Sequence, residues 1–233
     1  MKTCIITGAS SGIGQAAAIA ISDAGIFDHL ALLGRDMDAL MDTRQKMADG
    51  CAISLHPADL SQPETLPEIV ENIFAQTGSV DCLLNIAGVT APQSLLETSL
   101  ENLQTTYNVN VFAPLILTRA CVRYMKRSGG KILNVASTAG MSPRPGWISY
   151  SSSKAAVISI SQTVTEELAD YGIRVYCVSP GRCATKLRKI LAPDEDPSTI
   201  MQPEEVAQVI CRLVSEEEHC LDGQNIVIRK KHT

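Results

Sequence analysis

Residues 7 to 14 are Thr7-Gly8-Ala9-Ser10-Ser11-Gly12-Ile13-Gly14, a glycine-rich stretch between an apolar run and an alanine-rich one. The run before it has the composition of a buried strand, and the pattern after it is typical of a helix. Glycines at such a turn let the backbone approach a pyrophosphate, which then faces the free N–H groups of the helix N-terminus. The stretch therefore predicts a phosphate-binding turn, with an ordinary structural turn as the alternative.

Strand-like and helical patterns alternate along the whole chain. The predicted strands are Lys2–Thr7, His29–Leu33, Cys51–Leu55, Val80–Ile86, Lys131–Ala136, Arg174–Ser179 and Asn225–Arg229. The predicted helices are Gly12–Ala24, Met37–Ala48, Pro63–Thr77, Ser99–Arg127, Ser149–Tyr171 and Pro203–Val214. The strands are continuously apolar, as expected for strands buried on both faces. We therefore predict an α/β fold, a Rossmann-type doubly wound parallel sheet of about seven strands with helices on both faces.

The domain organisation follows from the absence of any internal repeat, low-complexity segment or linker in the 233 residues. The one loose stretch, Leu191–Met201, is rich in proline and acidic residues and is too short to separate two domains. We predict a single dinucleotide-binding catalytic domain over residues 1–233, with a short substrate loop around residues 185–201.

Composition and charge exclude several classes of protein. Hydrophobic residues make up 45% and charged residues 19%, which argues against a disordered chain. The net charge of −5 argues against a nucleic-acid partner, since phosphate neutralisation needs a basic face. No apolar run approaches the roughly 20 residues that span a bilayer, and the start lacks the apolar stretch of a secretory signal. The expectation is a cytoplasmic protein without a membrane partner.

The eight cysteines form no C-x-x-C pair, and several lie inside strand-like runs. A buried free thiol behaves as a small hydrophobe. Without an export signal or a ligand spacing, we predict reduced thiols and no metal site.

Tyr150 and Lys154 are four residues apart at the start of a predicted helix, so both side chains share one face. A free phenol has a pKa near 10, and a neighbouring ammonium favours the phenolate. At about 4 Å and an effective dielectric constant of 20, the attraction is about 4 kcal/mol before desolvation. That is close to the free energy of three pKa units, so the pair predicts a tyrosine that exchanges protons near neutral pH.

Ser137 follows the fifth predicted strand, and the carboxyl ends of parallel strands are where such sheets bind ligands. Its hydroxyl is a candidate to hold a substrate oxygen. The alternatives are a loop hydroxyl without a catalytic role, or Thr138 in its place.

Together, the G-x-x-x-G-x-G turn, Ser137 and Tyr150-Ser151-Ser152-Ser153-Lys154 resemble the single-domain form of the short-chain dehydrogenase/reductase family. The resemblance runs from Thr3 to about Ile228. It implies an oxidoreductase that transfers a hydride between a nicotinamide dinucleotide and a carbonyl or secondary alcohol.

The resemblance also implies the role of each catalytic residue. Tyr150 is the acid/base, Lys154 lowers its pKa and holds the cofactor ribose, and Ser137 orients the substrate oxygen. Asn110 corresponds to the family's helix asparagine, which anchors a water in the proton relay. Asn108 is the alternative residue for that role. The alternative interpretation of Asn110 is a buried asparagine that bonds only to its own helix.

The family pattern implies a larger set of cofactor-binding residues. They are Gly8, Ser10, Ser11, Gly12, Ile13, Gly14, Arg35, Asp59, Asn85, Ala87, Gly88, Tyr150, Lys154, Pro180, Gly181 and Thr185. Asp59 corresponds to the residue that bonds the adenine amino group, with an N-cap or Asx turn as the alternative. Asn85, Ala87 and Gly88 border the ribose. Pro180, Gly181 and Thr185 form the turn over the nicotinamide.

Arg35 bears on which cofactor is used. It follows the second predicted strand, where family members that use NAD have an acidic residue. A guanidinium there can pair with a 2′-phosphate, so we expect NADP(H) rather than NAD(H). Against this, Asp36 is adjacent, and Ser11 stands where many NADP-using relatives have a basic residue. The alternative for Arg35 is a solvated loop charge.

A basic cluster follows the Pro-Gly turn and consists of Arg182, Lys186, Arg188 and Lys189. If it lines the substrate entrance, it attracts an anionic substrate, such as a carrier-bound 3-oxoacyl thioester or a phosphorylated or nucleotide-linked sugar or polyol. The alternative is a set of solvated charges near a helix C-terminus.

Other functions and the assembly are also suggested by the resemblance. The rival function is a non-catalytic NADP(H)-sensing regulator. A sugar epimerase or dehydratase is disfavoured, because it needs a larger sugar-binding portion than the chain that follows Tyr150.

The helices Ser99–Arg127 and Ser149–Tyr171 correspond to those of a four-helix subunit contact in relatives. We therefore expect a homodimer or homotetramer.

Overall fold

All seven strands lie in one parallel sheet in a computed structural model that describes residues 1–221 and 223–230. The strand order is β3-β2-β1-β4-β5-β6-β7. The strands are β1 (Thr3–Thr7), β2 (His29–Gly34), β3 (Ala52–Pro57), β4 (Cys82–Asn85), β5 (Gly130–Val135), β6 (Ile173–Pro180) and β7 (Asn225–Ile228). Each neighbouring pair is parallel, and the register of the central pair aligns Cys4 of β1 with Cys82 of β4.

Helices cover both faces of the sheet. They are α1 (Gly12–Asp23), α2 (Met37–Gln45), α3 (Leu66–Thr77), α4 (Leu100–Tyr107), α5 (Ala113–Met125), α6 (Ile148–Leu168), α7 (Lys186–Leu191) and α8 (Pro203–Val214). Alternate residues of the strands face opposite layers. Cys4 and Ile6 of β1 belong to the core that includes α1 and α8, whereas Ile5 belongs to the core that includes α3 and α5. The prediction of a doubly wound seven-stranded sheet is confirmed.

The helix predicted over Ser99–Arg127 differs from the prediction, because a π-helical turn at Asn108–Phe112 separates α4 from α5. Pro114 has no N–H, so it cannot donate to the carbonyl of Asn110 as a regular α-helix requires. The backbone takes the wider spacing instead, and Ala113 N–H donates to the carbonyl of Asn108. π-Turns of this kind are often found at functional sites.

The predicted substrate loop around residues 185–201 is not entirely irregular. It contains the short helix α7 and a 3₁₀ turn at Pro197–Thr199. Thr185 caps α7, because its hydroxyl accepts a hydrogen bond from Arg188 N at 3.1 Å. The segment predicted as the helix Pro63–Thr77 also begins with a 3₁₀ turn, at Pro63–Thr65, before α3.

All eight cysteines lie in the described part of the chain and are free thiols. Among residues 1–221 and 223–230, no helix has the length and apolar character needed to cross a membrane.

Candidate active site

The candidate active site is a cleft of about 670 Å³ at the carboxyl ends of the strands. It lies where the strand order reverses between β1 and β4, the usual ligand site of a doubly wound sheet. The predicted residues on its wall are Gly8, Ser10, Ser11, Gly12, Ile13, Gly14, Arg35, Asp59, Ala87, Gly88, Ser137, Tyr150, Lys154, Pro180, Gly181 and Thr185. Asn85 and Asn110 are not on the wall. The fold thus brings together most of the residues selected from the sequence.

The glycine-rich turn has the shape that a bound pyrophosphate requires. Gly8 has a φ of +70°, which disfavours a side chain. A Cβ on Gly14 would lie 2.1 Å from the carbonyl oxygen of Gly8, so the turn and α1 are in close contact. Ser11, at the N-cap of α1, makes no side-chain cap hydrogen bond, and the N–H groups of the first turn are left for an anion. The turn therefore fits the diphosphate of a dinucleotide.

Arg35 lies on the cleft wall beyond the end of β2, where the ribose of a bound dinucleotide would lie. Neighbouring Asp36 is not on the wall. It is the N-cap of α2, and its carboxylate accepts a hydrogen bond from Ala39 N at 3.1 Å. The side chain at the end of β2 that is available to a ligand is therefore a cation.

Asp59 lies on the same wall and also forms an Asx turn. Its Oδ1 accepts hydrogen bonds from Ser61 N at 3.0 Å and from Ser61 Oγ at 2.8 Å. These bonds lower the pKa of the Asp59 carboxyl, and the charge of Arg35 adds a smaller effect in the same direction. The two bonds hold the Asp59 carboxylate in place. The Asx turn, which is the alternative role that the sequence predicts for Asp59, is therefore present.

Tyr150 and Lys154 are buried on one face of α6, with 6% and 3% of their surface exposed. Lys154 Nζ lies 5.9 Å from the centre of the Tyr150 ring. Ser137 caps the turn Thr138–Gly140, because its Oγ accepts from Ala139 N at 3.1 Å. That turn packs directly on α6, since a Cβ on Gly140 would lie 2.6 Å from the carbonyl carbon of Lys154. The three side chains are therefore held in fixed relation.

The pKa of Tyr150 differs from the near-neutral value that its spacing to Lys154 predicts. Burial raises the pKa of Tyr150, while the Ser137 hydroxyl and the charge of Arg188 oppose the rise. Burial also lowers the pKa of Lys154 to about 8. Lys154 Nζ donates to the carbonyl of Val135 at 2.8 Å. The phenol is thus mainly protonated at neutral pH.

Lys154→Met is expected to change how stability depends on pH. The folded-state pKa of Lys154 lies near 8 and the unfolded value near 10.5, so the unfolded chain binds the extra proton between those values. Wild-type stability therefore gains about 3 kcal/mol from this group as the pH rises through that window. The variant lacks the gain, so its stability relative to wild type falls from pH 7 to pH 10.5. Urea unfolding followed by circular dichroism measures the difference.

The exposed Lys126 supplies the control for this measurement, because Lys126→Met removes an ammonium that is not buried. A constant stability difference between Lys154→Met and wild type across the pH range would contradict the assignment.

Asn110 lies in the π-turn, next to Lys154 but behind the cleft wall. Its Oδ1 accepts from Val89 N at 2.9 Å, and its Nδ2 donates to Val89 O and to Ser153 Oγ, both at 3.0 Å. A Cβ on Gly88 would lie 3.4 Å from both Asn110 Oδ1 and Lys154 Nζ. Asn110 Oδ1 and Lys154 Nζ are therefore less than about 7 Å apart, a separation that one hydrogen-bonded group such as a water could bridge.

Asn108, the alternative to Asn110, donates instead to the carbonyl of Ser61 at 2.9 Å. It supports the loop after β3.

Asn85 is not brought to the cleft. It is buried behind the wall, and its Nδ2 donates to Asn134 Oδ1 at 2.8 Å. Asn134 in turn donates to Ser161 Oγ at 3.0 Å. This chain of amides joins β4, β5 and α6, so Asn85 supports the sheet on which the site is built.

Some residues of the wall were not selected from the sequence. They include Thr90, Arg144 and Trp147, whereas Ile190 and Leu191 lie in the predicted substrate loop. Trp147 precedes α6, and its ring lies 6.5 Å from that of Tyr150 at an interplanar angle of 73°. Its spacing of three residues before Tyr150, at the start of the helix, is the signal that could have identified it.

The basic cluster after the Pro-Gly turn is partly neutralised. Arg188 Nε and Nη2 donate to the Glu195 carboxylate at 2.6 and 2.8 Å, and Arg182 Nη1 donates to it at 3.2 Å. Lys189 is not on the cleft wall, whereas Lys186 is. Fewer than the four expected cations therefore face a substrate, because Glu195 pairs with two of them and Lys189 lies off the wall.

A phosphate-binding turn and a buried tyrosine beside a lysine, facing one cleft, define the class of dinucleotide-dependent oxidoreductases. Comparison with known proteins then gives the family. The model described as short chain dehydrogenase matches residues 2–196. This chain belongs to the short-chain dehydrogenase/reductase family of NAD(P)-dependent enzymes, as the motifs predicted.

The relatives cover nearly the whole chain. A 3-oxoacyl-acyl-carrier-protein reductase of Thermotoga maritima is 34% identical over 97% of this chain and 96% of its own length. An alcohol dehydrogenase of Thermococcus sibiricus, solved with 5-hydroxy-NADP, superimposes with a TM-score of 0.87 at 27% identity, covering 98% of this chain and 96% of that chain. A short chain dehydrogenase of Burkholderia cenocepacia in complex with NADP gives 0.88 at 26% identity, covering 97% and 96%.

Proposed function

We propose that this protein is an NADP(H)-dependent carbonyl reductase that also catalyses the reverse oxidation of a secondary alcohol. Its proposed substrate class is a carrier-bound 3-oxoacyl thioester, with a phosphorylated or nucleotide-linked sugar or polyol as the second choice. The observation that carries the cofactor assignment is the cation Arg35 on the cleft wall at the end of β2, beside an Asp36 engaged as a helix cap. The 3-oxoacyl-acyl-carrier-protein reductase of Thermotoga maritima among the relatives supports the substrate class.

The residues that would hold the cofactor form a continuous wall. The turn from Gly8 to Gly14 would hold the diphosphate, Arg35 the 2′-phosphate, and Asp59 the adenine amino group. Lys154 would hold the ribose, and Pro180 to Thr185 would face the nicotinamide. When bound, the nicotinamide supplies or accepts the hydride.

The chain itself moves the proton. In reduction Tyr150 donates its phenolic proton to the substrate carbonyl oxygen, and in oxidation it removes a proton from the alcohol. Its raised pKa suits the acid role, because the phenol is protonated before the reaction. Ser137 Oγ–H donates a hydrogen bond to the same substrate oxygen. Lys154, whose pKa is near 8, is mostly protonated at pH 7 and stabilises the phenolate that remains.

The alternative is a non-catalytic NADP(H)-sensing regulator. Such a protein has no need of the catalytic side chains, yet Ser137, Tyr150 and Lys154 are all present and line one cleft. No feature of the cleft favours the regulatory function.

The proposed assembly is a homodimer or homotetramer. Phe112, in the π-turn, and Leu115, in α5, have exposed apolar side chains. The family resemblance relates this part of the chain to a helix of a subunit contact. Burial of these side chains against a second copy would stabilise the assembly.

Titration with NADPH and NADH, followed by nicotinamide fluorescence, tests the cofactor assignment. We expect NADPH to bind more tightly. Arg35→Ala should weaken NADPH binding by about 10- to 100-fold and change NADH binding little, because only NADPH carries the phosphate that the guanidinium pairs with. Equal losses for the two cofactors would contradict phosphate recognition.

The matched control is Arg44→Ala, which removes an exposed arginine of α2 that is not on the cleft wall. It should leave both dissociation constants unchanged. Failure of the wild-type protein to bind either cofactor would overturn the proposed function as a whole.

A further inference from the structure

The segment between β6 and α8 covers one side of the cleft and is called the lid segment here (residues 182–201). Its two ends are joined by backbone hydrogen bonds, from Ala184 N to Met201 O at 2.8 Å and from Met201 N to Arg182 O at 3.2 Å. The lid segment is therefore a loop closed at its base, and its contacts with the rest of the site are made by its side chains.

One ion pair fixes the interior of the lid segment. Arg188 and Glu195 are joined by two parallel hydrogen bonds of 2.6 and 2.8 Å, and their side chains are only 19% and 16% exposed. Bidentate pairs of this kind hold a guanidinium in one orientation. Hydrogen bonds from Arg188, and less so from Arg182, lower the pKa of the Glu195 carboxyl, so the anchor is ionised at neutral pH.

The same guanidinium contacts the residue that precedes α6, the helix that carries Tyr150. Arg188 Cζ lies 5.9 Å from the centre of the Trp147 ring, which is a cation–π distance. Trp147 immediately precedes α6, and its ring packs edge-on against Tyr150, 6.5 Å away. A continuous contact chain thus runs from Glu195 in the lid segment through Arg188 and Trp147 to the Tyr150 ring.

We propose that Arg188 is a positioning residue for Tyr150: Glu195 anchors it, and it acts through Trp147 to hold the tyrosine ring and close the lid segment over it. The inference rests on the proposed function only in that Tyr150 is the proton-transferring group. Arg188 also places a positive charge near the phenol, which favours the phenolate formed after proton donation.

The groups facing Tyr150 come from three elements. Lys154 lies on α6 itself, the Ser137 hydroxyl comes from the turn after β5, and Arg188 comes from the lid segment. Arg144 lines the same cleft and is exposed. Of the cations of the lid segment, Arg188 is the one whose charge reaches the phenol, which singles it out for the test.

The first test uses the fluorescence of Trp147, the only tryptophan of the chain. Its emission therefore reports the contact with Arg188 in the free protein, without substrate or cofactor. We expect Arg188→Gln and Glu195→Gln to shift the emission and to raise acrylamide quenching by about twofold or more, because the ring loses its cover. Lys189→Gln, which removes the adjacent exposed cation, should leave both unchanged.

The double variant Arg188→Gln/Glu195→Gln should match either single variant, because the two residues act as a unit. Additive effects of the two substitutions would overturn the anchoring role of Glu195.

The second test follows Tyr150 directly by NMR of protein labelled with ¹³C at the tyrosine ζ carbon, with Tyr150→Phe to assign its signal. We expect Arg188→Gln to raise the pKa of Tyr150 by about half a unit to one unit, since the phenol loses a nearby cation. Arg188→Lys should restore the titration only in part, because an ammonium keeps the charge but not the bidentate geometry. Lys189→Gln should not move it.

Unchanged Trp147 emission and an unchanged Tyr150 titration in Arg188→Gln would overturn the proposal, and so would equal effects from Lys189→Gln. If Arg188→Gln does not fold, Glu195→Gln is measured in its place, and the shift of the Trp147 emission with raised acrylamide quenching is expected. Neither readout requires turnover. A failure of cofactor binding or reduction would therefore count against the proposed function and not against this inference.

Discussion

Tyr150→Phe is expected to lower the turnover number by about 10²- to 10⁴-fold, the usual contribution of a positioned general acid. The substitution removes the phenolic oxygen and keeps the ring that packs on Trp147, so the site should retain its shape. NADPH binding is expected to stay near the wild-type value, because the phosphate turn and Arg35 are untouched. Steady-state reduction of a 3-oxoacyl thioester, together with fluorescence titration of NADPH, measures the two effects.

Tyr171→Phe is the matched control, since Tyr171 is 46% exposed in the 3₁₀ turn Ala169–Tyr171 that follows α6, the helix that carries Tyr150. It should leave turnover and cofactor binding unchanged. Wild-type turnover in Tyr150→Phe would remove the acid/base assignment.

Gly14→Ala is expected to disrupt cofactor binding and to destabilise the fold. Alanine in a helix is about 1 kcal/mol more favourable than glycine, so helix propensity alone predicts a small gain. The added Cβ would, however, lie 2.1 Å from Gly8 O and 2.6 Å from Gly8 C, and the backbone of the turn must move. Overpacking of this kind costs about 1–3 kcal/mol. We expect a net loss of stability and at least about tenfold weaker NADPH binding.

Urea unfolding and NADPH titration measure the two consequences of Gly14→Ala. Gly50→Ala is the control, because no atom lies within 4 Å of the Cβ that it would add. A stabilised Gly14→Ala variant with normal NADPH affinity would show that the turn and α1 are not in the contact described.

The sheet and the phosphate turn could be predicted because their signals are local. Continuous apolar runs indicate buried parallel strands, and the glycines of residues 8–14 indicate the turn between one strand and one helix. The π-turn at Asn108–Phe112 was missed, because it depends on Pro114 and on the bonds that Asn110 makes to Val89 and Ser153. The proline was visible in the sequence, whereas the partners of Asn110 come from distant segments.

The chemistry around Tyr150 was predicted only in part. The spacing of Tyr150 and Lys154 indicates a shared face, but the sequence does not reveal that Val135 O accepts the bond from Lys154 Nζ. Nor does it reveal that both groups are buried enough to shift their pKa values in opposite directions. Proximity could be predicted from helix geometry, whereas desolvation depends on the whole fold.

The neutralisation of the basic cluster is a third example. Glu195 lies seven residues after Arg188, beyond the end of α7, so helix periodicity does not relate the two. Their pairing requires the lid segment to fold back on itself. The same fold places Arg188 on Trp147, and neither contact has a local sequence signal.

The strand order has a consequence for the synthesis of the chain. The first three strands can pair as soon as Pro57 has been made, but the other edge of β1 is completed only by β4, which ends at Asn85. At typical ribosomal rates that interval lasts roughly one to six seconds. During it, the strand Thr3–Thr7, which is wholly buried in the finished fold, presents an unpaired backbone edge to other nascent chains. Chaperone demand during expression should therefore be highest before the fourth strand emerges.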